Sequence, residues 1–144
     1  MLKTIFLGAD HAGFALKETL KKHLTQLGWM VVDQSPVFIE SDDYPPIAKL
    51  VAQDVCKMKT VGILVCGSGL GMDIAANRVK GARAVVLRTE ADAKSSREHN
   101  HANIAIFGER ITSAAKAKKI LDTWLATPYS KEKRHIRRVK EIDT

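Results

Sequence analysis

Short apolar runs alternate along the chain with stretches in which apolar residues recur every three or four positions. That alternation predicts β-α-β units around a parallel sheet. Five runs read as strands, at about residues 4–8 (TIFLG), 30–33 (MVVD), 62–66 (GILVC), 82–87 (ARAVVL) and 104–107 (IAIF). They are β-rich and nearly uncharged, as strands covered on both faces should be. Between the first two, Phe14, Leu16, Leu20, Leu24 and Leu27 share one helical face while Lys17, Lys21 and Lys22 fall elsewhere. Gly28 stands where a helix places its C′ residue. A second helix is expected after Tyr44-Pro45-Pro46, with proline in its first turn and Ile47, Leu50, Val51 and Val55 facing inward. Further helices are expected at about 70–78, 90–99 and 113–126. From Ser130 the spacing is that of a short helix whose only apolar residues are Ile136, Val139 and Ile142, so it needs a surface to lie against. No repeat or internal boundary is visible. The expected fold is a single α/β domain over 1–144, a three-layer Rossmann-like α/β/α arrangement with a five-stranded parallel sheet and a C-terminal helix.

Composition narrows the class. The 144 residues are 45% hydrophobic and 27% charged, with nine Gly and four Pro, which excludes a disordered or collagenous chain. No run of roughly eighteen apolar residues occurs, and the opening MLKTIFLGADHAG has the form of neither a membrane span nor a signal peptide. A soluble, cytoplasmic protein with no membrane partner is expected. Cys56 and Cys66 lack CxxC spacing, so neither a disulfide framework nor a zinc site is supported.

Lys and Arg number 23 against 16 Asp and Glu, a net charge of +7 that favours an anionic partner. Lys131, Lys133, Arg134, Arg137, Arg138 and Lys140 crowd a ten-residue stretch that holds one acid, Glu132. An anion site, a solvated helix face and a nucleic-acid patch all remain readings of it.

In open parallel sheets, ligands bind beyond the carboxyl ends of the strands. After the third strand comes CGSGLG (66–71), whose alternating glycines let backbone N–H groups converge on an anion, as a phosphate cradle or an oxyanion hole. Met72 stands where the dinucleotide fingerprint requires Gly, and GADHAG (8–13) is followed by Phe14 and Ala15 where a P-loop requires Lys and Ser or Thr. Nucleotide binding is disfavoured. Cys66 heads the glycine loop, where amide dipoles favour a thiolate able to abstract a proton; a small buried hydrophobe is the alternative. Cys56 reads as packing. Asp10-His11 follows the first strand, a position where Asp also serves as a helix cap. His99 and Asn100 are ordinary residues for a helix end. Arg134 and Arg138, at i and i+4, suit a phosphate dianion, and a solvated basic helix explains them as well.

Taken together, GADHAG (8–13), DYP (43–45), CGSGLGMDIAANR (66–78), REHNHAN (97–103), FGER (107–110) and RHIRRV (134–139) resemble the ribose-5-phosphate isomerase B family, which includes the galactose-6-phosphate isomerase subunits. The resemblance implies an aldose-ketose isomerase needing no metal or cofactor. In it, Cys66 moves a proton between C1 and C2 through a cis-enediolate. Amides around Gly67, Ser68, Gly69 and Gly71 hold the enediolate oxygens, with Ser68 and Asn100 assisting. His99 opens the furanose ring, helped by Asp10 or Asp43, and Tyr44 lines the sugar. His11, Arg110, Arg134 and Arg138 hold the phosphate. The resemblance also implies homodimers, sometimes paired into tetramers, with the basic segment at about 130–144 reaching a neighbour's site.

Two departures stand out. Part of the family carries a carboxylate base where this chain has Met72, which places the chain in the cysteine branch. The loop 34–42 (QSPVFIESD) replaces a stretch in which the family more usually has a Gly, and it borders the sugar. Ribose 5-phosphate is the first expectation, with an allose- or galactose-type hexose 6-phosphate, or a non-catalytic sugar-phosphate-binding protein, as alternatives. An RNA reader would interleave aromatics with its cations, and residues 130–144 contain none.

Overall fold

A computed structural model describes residues 2–144. The five apolar runs form one parallel sheet of β1 (Thr4–Ala9), β2 (Met30–Asp33), β3 (Val61–Cys66), β4 (Ala84–Val86) and β5 (Ile104–Gly108), in the order β2-β1-β3-β5-β4. The helices are α1 (Phe14–Gln26), α2 (Tyr44–Met58), α3 (Leu70–Ala76), α4 (Glu90–Asn100), α5 (Ala114–Ala126) and α6 (Lys133–Asp143).

Successive strand side chains point to opposite faces, and the core divides accordingly. Ile5, Leu7, Ile63, Val65 and Phe107 meet Leu16, Leu20 and Leu24 of α1 and Ile120, Leu121 and Trp124 of α5. Phe6, Leu64 and Ile106 meet Val51 and Val55 of α2 and Met72 and Ala76 of α3. This is the expected three-layer α/β/α architecture. The central strands are buried as expected, whereas β2 and β4 are edge strands and only partly covered.

Three predicted orientations differ. Leu27 is the C-cap of α1 rather than part of its inward stripe and is 54% exposed, because the chain turns out of the helix at Gly28, φ +90°. Leu50 faces solvent, and Ala48 and Ala52 take the inward positions beside Val51 and Val55. Lys17, assigned to the polar side of α1, is wholly buried. Its ammonium donates to Asp33 Oδ2 (2.8 Å) and to the Ser35 carbonyl (2.6 Å) and lies 4.2 Å from the centre of the Phe14 ring. Burial pushes the Asp33 carboxyl up, but Lys17, the Ser35 amide and Lys21 together hold it below the ordinary Asp value. The buried lysine thus ties the start of the 34–42 loop to α1.

α6 finds part of its support within the chain. It packs on α4, burying His135 and Val139, and Asp143 at its end pairs with Arg83 at 2.9 Å. Its outer face keeps Ile136 and Ile142 exposed along with the arginines.

Candidate active site

β1 and β3 are neighbours, yet α1 leaves β1 toward one face of the sheet and α3 leaves β3 toward the other. Such a reversal opens a crevice beyond the carboxyl ends of the two strands. Cys66 is the last residue of β3, paired with Gly108 of β5 and 5% exposed. Gly69 adopts a left-handed conformation, φ +83°, that turns the loop back so that its N–H donates to Cys66 Sγ at 3.1 Å. Ser68 Oγ accepts from the Leu70 N–H at 3.2 Å.

Residues distant in sequence close on this loop. The Arg110 guanidinium lies against Gly67, where a Cβ would collide with it. The Tyr44 ring covers Gly71 just as closely. Gly13, at the start of α1, abuts the backbone of Val65 and Cys66. Two carboxylates hold the entry to α1: Asp10 Oδ1 accepts from the Ala12 and Gly13 amides just ahead of the helix (3.0 and 3.1 Å), and Glu109 Oε1 accepts from Leu16 in its first turn (2.7 Å). Burial pushes the Asp10 carboxyl up, with His11 and the two amides opposing. Asp10 therefore braces the turn that leads into α1 and does not cap the helix, whose N-cap is Gly13 with no side-chain cap hydrogen bond. His11 is held by Asp42 Oδ1, which accepts from its backbone N–H (2.7 Å) and lies 3.1 Å from Nδ1. That hydrogen bond raises the imidazole above its ordinary value. Asp43 is exposed at the N-terminus of α2 and makes no cap hydrogen bond. Met72 is fully buried beneath the loop among apolar residues. Among the described residues, no three His, Cys, Asp or Glu side chains converge as metal ligands.

The remaining candidates lie elsewhere. Because α4 joins two parallel strands, it runs back along the sheet and ends where β5 begins. Ile104 there pairs with Gly62, four residues before Cys66, which is about 13 Å along a strand. His99 and Asn100, in the last turn of α4, are thus exposed at the edge of the sheet remote from Cys66. The resemblance assigns them to the same site as Cys66; within one chain the depth of the sheet separates them. Arg134 and Arg138 accompany His99, exposed on α6. Arg134 makes only a surface pair with Glu132 (2.8 Å), of small energetic value. Between them His135 is buried with its ring 4.6 Å from that of His99. Burial lowers its pKa; His99, Arg134 and Arg138 add to this, and Glu132 opposes.

The candidate residues therefore fall into two halves. One holds Asp10, His11, Asp43, Tyr44, Cys66, Gly67, Ser68, Gly69, Gly71 and Arg110; the other holds His99, Asn100, Arg134 and Arg138. Asp42 and Glu109 were missed as supports of the first half. An acid beside DYP and another inside FGER carry no spacing that ties them to His11 or α1.

A match to the family described as Ribose/Galactose Isomerase spans residues 5–142. The chain belongs to the ribose/galactose isomerase family. It is 42% identical to the ribose-5-phosphate isomerase B of Escherichia coli over 142 residues, covering 98% of this chain and 95% of that one. The crystal structure of a ribose 5-phosphate isomerase from Thermotoga maritima superposes with a TM-score of 0.94 at 43% identity, covering 98% of this chain and 97% of the other. A Mycoplasma genitalium ribose-5-phosphate isomerase B with bound ribulose 5-phosphate superposes with a TM-score of 0.93 at 38% identity, covering 99% and 95%. In this member of the ribose/galactose isomerase family, the thiol of Cys66 and the imidazole of His99 sit at opposite ends of one sheet.

Proposed function

We propose that this ribose/galactose isomerase interconverts ribose 5-phosphate and ribulose 5-phosphate, with Cys66 as the base. The observation that carries the reading is the Cys66 sulfur, buried at the switch point of the sheet and hydrogen-bonded by the Gly69 amide. The names of the relatives and the ribulose 5-phosphate bound to one of them supply the substrate.

Isomerisation of an open-chain aldose needs a base at C2 and donors aimed at the oxygen that gains charge. The Cys66 thiolate removes the C2 proton, and the C2–H electrons form the C1–C2 double bond as the carbonyl pair moves to O1. The resulting cis-enediolate is held by amides of the Gly67–Gly71 loop with Ser68. The thiol returns its proton to C1 while the O2 proton passes to O1, leaving a C2 ketone and a C1 alcohol. Arg110 and His11 hold phosphate, Tyr44 lines the sugar and Asp43 faces the ring.

The second half of the site comes from another copy. His99 opens the ring, Asn100 assists, and Arg134 and Arg138 complete the phosphate grip, each across a two-fold interface of a homodimer. What supports this is their distance from Cys66 and the exposure of both arginines. The two free cysteines suit a reducing compartment, and the cytoplasm belongs to this reading.

The test is a direct assay of ribose, allose and galactose phosphates. Ribulose 5-phosphate should form from ribose 5-phosphate with the highest kcat/KM of the three. A higher value for a hexose phosphate would transfer the assignment to that sugar, and turnover of none would reject an isomerase.

A further inference from the structure

Where β1 and β3 begin, remote from Cys66, the surface opens into a cavity of about 480 Å³ that the isomerase reading does not use. Its walls carry three cations, Lys3, Lys59 and Arg97, with Trp29 and Tyr129, and no acidic residue. Among the described residues, none of these cations lies within ion-pair distance of a carboxylate.

Arg97 is the decisive one. Its guanidinium is inserted between two aromatic rings, 4.7 Å from the centre of Trp124 and 4.3 Å from that of Tyr129. Nε donates to the Thr127 carbonyl (3.2 Å), and Nη1 donates to the Ala102 carbonyl (2.8 Å) and Tyr129 Oη (2.9 Å). These contacts hold the group in place and, among the described residues, leave the Nη2 donors without a protein partner. Burial acts against the charged form. A cation fixed and partly desolvated in this way ordinarily faces a counter-ion, and the described residues supply none. Lys3 and Lys59, both exposed on the rim, deepen the positive field.

The aromatic walls limit the rest of the ligand. Tyr129 has one face against Arg97 and the other against the stacked ring of His101, 4.6 Å away. Only Trp29 is left as a ring surface. We propose that this cleft is a second anion site, taking a small phosphorylated metabolite whose phosphate meets Arg97, Lys3 and Lys59 while its apolar part lies on Trp29. The site is separate from Cys66 and does not depend on the reading of the active site.

Phenyl phosphate is the probe, titrated into the full chain with binding followed by calorimetry and tryptophan fluorescence. Trp29 lines the cleft and Trp124 lies under Arg97, so occupancy should change the emission. Saturable binding of one probe per chain is expected, and it should persist in Arg134→Ala with Arg138→Ala, which leaves the cleft untouched. The double variant Lys3→Gln with Lys59→Asn should weaken binding about tenfold or more, as loss of charge-assisted contacts does. Its isomerase kcat/KM should stay within about twofold, as for most surface changes. Asparagine suits position 59, where φ is +50°. Phenol should not bind. Absence of a saturable site in the arginine variant would overturn the proposal. So would binding indifferent to the two lysine changes, or phenol binding as tightly as its phosphate.

Discussion

The backbone N–H of Gly69 points at Cys66 Sγ across 3.1 Å. Replacing the sulfur by oxygen in a side chain of the same shape is therefore the most direct test of the site. Cys66→Ser should leave thermal stability nearly unchanged and lower kcat by about a hundredfold to ten-thousandfold, the range for loss of a positioned base. Cys56→Ser should be silent, since that thiol sits on α2 and burial pushes its pKa up. Isomerase assays of the two variants side by side decide the matter; equal activity in Cys66→Ser would remove the thiol from the mechanism.

His11 and Asp42 predict a pH dependence. The hydrogen bond to Asp42 raises the His11 pKa above 6.5, so the imidazolium that attracts phosphate persists below that value and is lost as pH rises through the elevated one. The His11 contribution to KM for the sugar phosphate should be constant at the acid end and make KM climb on the alkaline side. In Asp42→Asn the climb should begin at lower pH, while titration of the substrate phosphate is common to both enzymes and cancels. Coincident KM profiles would separate His11 from phosphate binding.

The proposed sharing of the site between two copies predicts complementation between two inactive variants. Cys66→Ser and Arg134→Ala with Arg138→Ala, mixed under conditions that exchange subunits, should recover up to about a quarter of wild-type activity. Half of randomly formed dimers are mixed, and each carries one intact site of two. If exchange is shown independently and activity stays absent, the arginines serve the site of their own chain.

Lys17 links stability to the site. Breaking a buried pair costs about 3–5 kcal/mol, and Lys17→Met should fall near the lower end because Lys21 still reaches Asp33 at 3.0 Å. Asp33 is held below its ordinary value of 3.8, so the stability it contributes is present above that pH and lost as pH falls through the lowered value. In the variant that loss should be smaller and be complete at higher pH, because only the folded-state value moves. Urea denaturation across the acid range measures both effects. KM should rise as well, because the loop that carries Asp42 loses its anchor at Ser35.

The strands and most helices could be read in the sequence because burial repeats with the period of the element. Leu16, Leu20 and Leu24, or Val51 and Val55, announce a face before any partner is known. Leu27 and Leu50 show where periodicity misleads: one lies past the helix end, and the other lost its inward place to smaller alanines. Lys17 shows the converse, a charge buried because Asp33 and a carbonyl await it at the end of β2.

Sequence alone was enough for the layered α/β fold, the glycine loop after β3 and the thiol at its head, since each depends on residues close together in the chain. The pairing of His11 with Asp42, the closing of Arg110 and Tyr44 over the loop, and the separation of His99 from Cys66 were decided by the tertiary structure. Those relationships depend on the path of connections that have no periodic signal. The separation follows from strand direction: a helix returning between two parallel strands must end at the edge opposite the one where it began, so the segments that carry Cys66 and His99 were carried to opposite ends of the sheet.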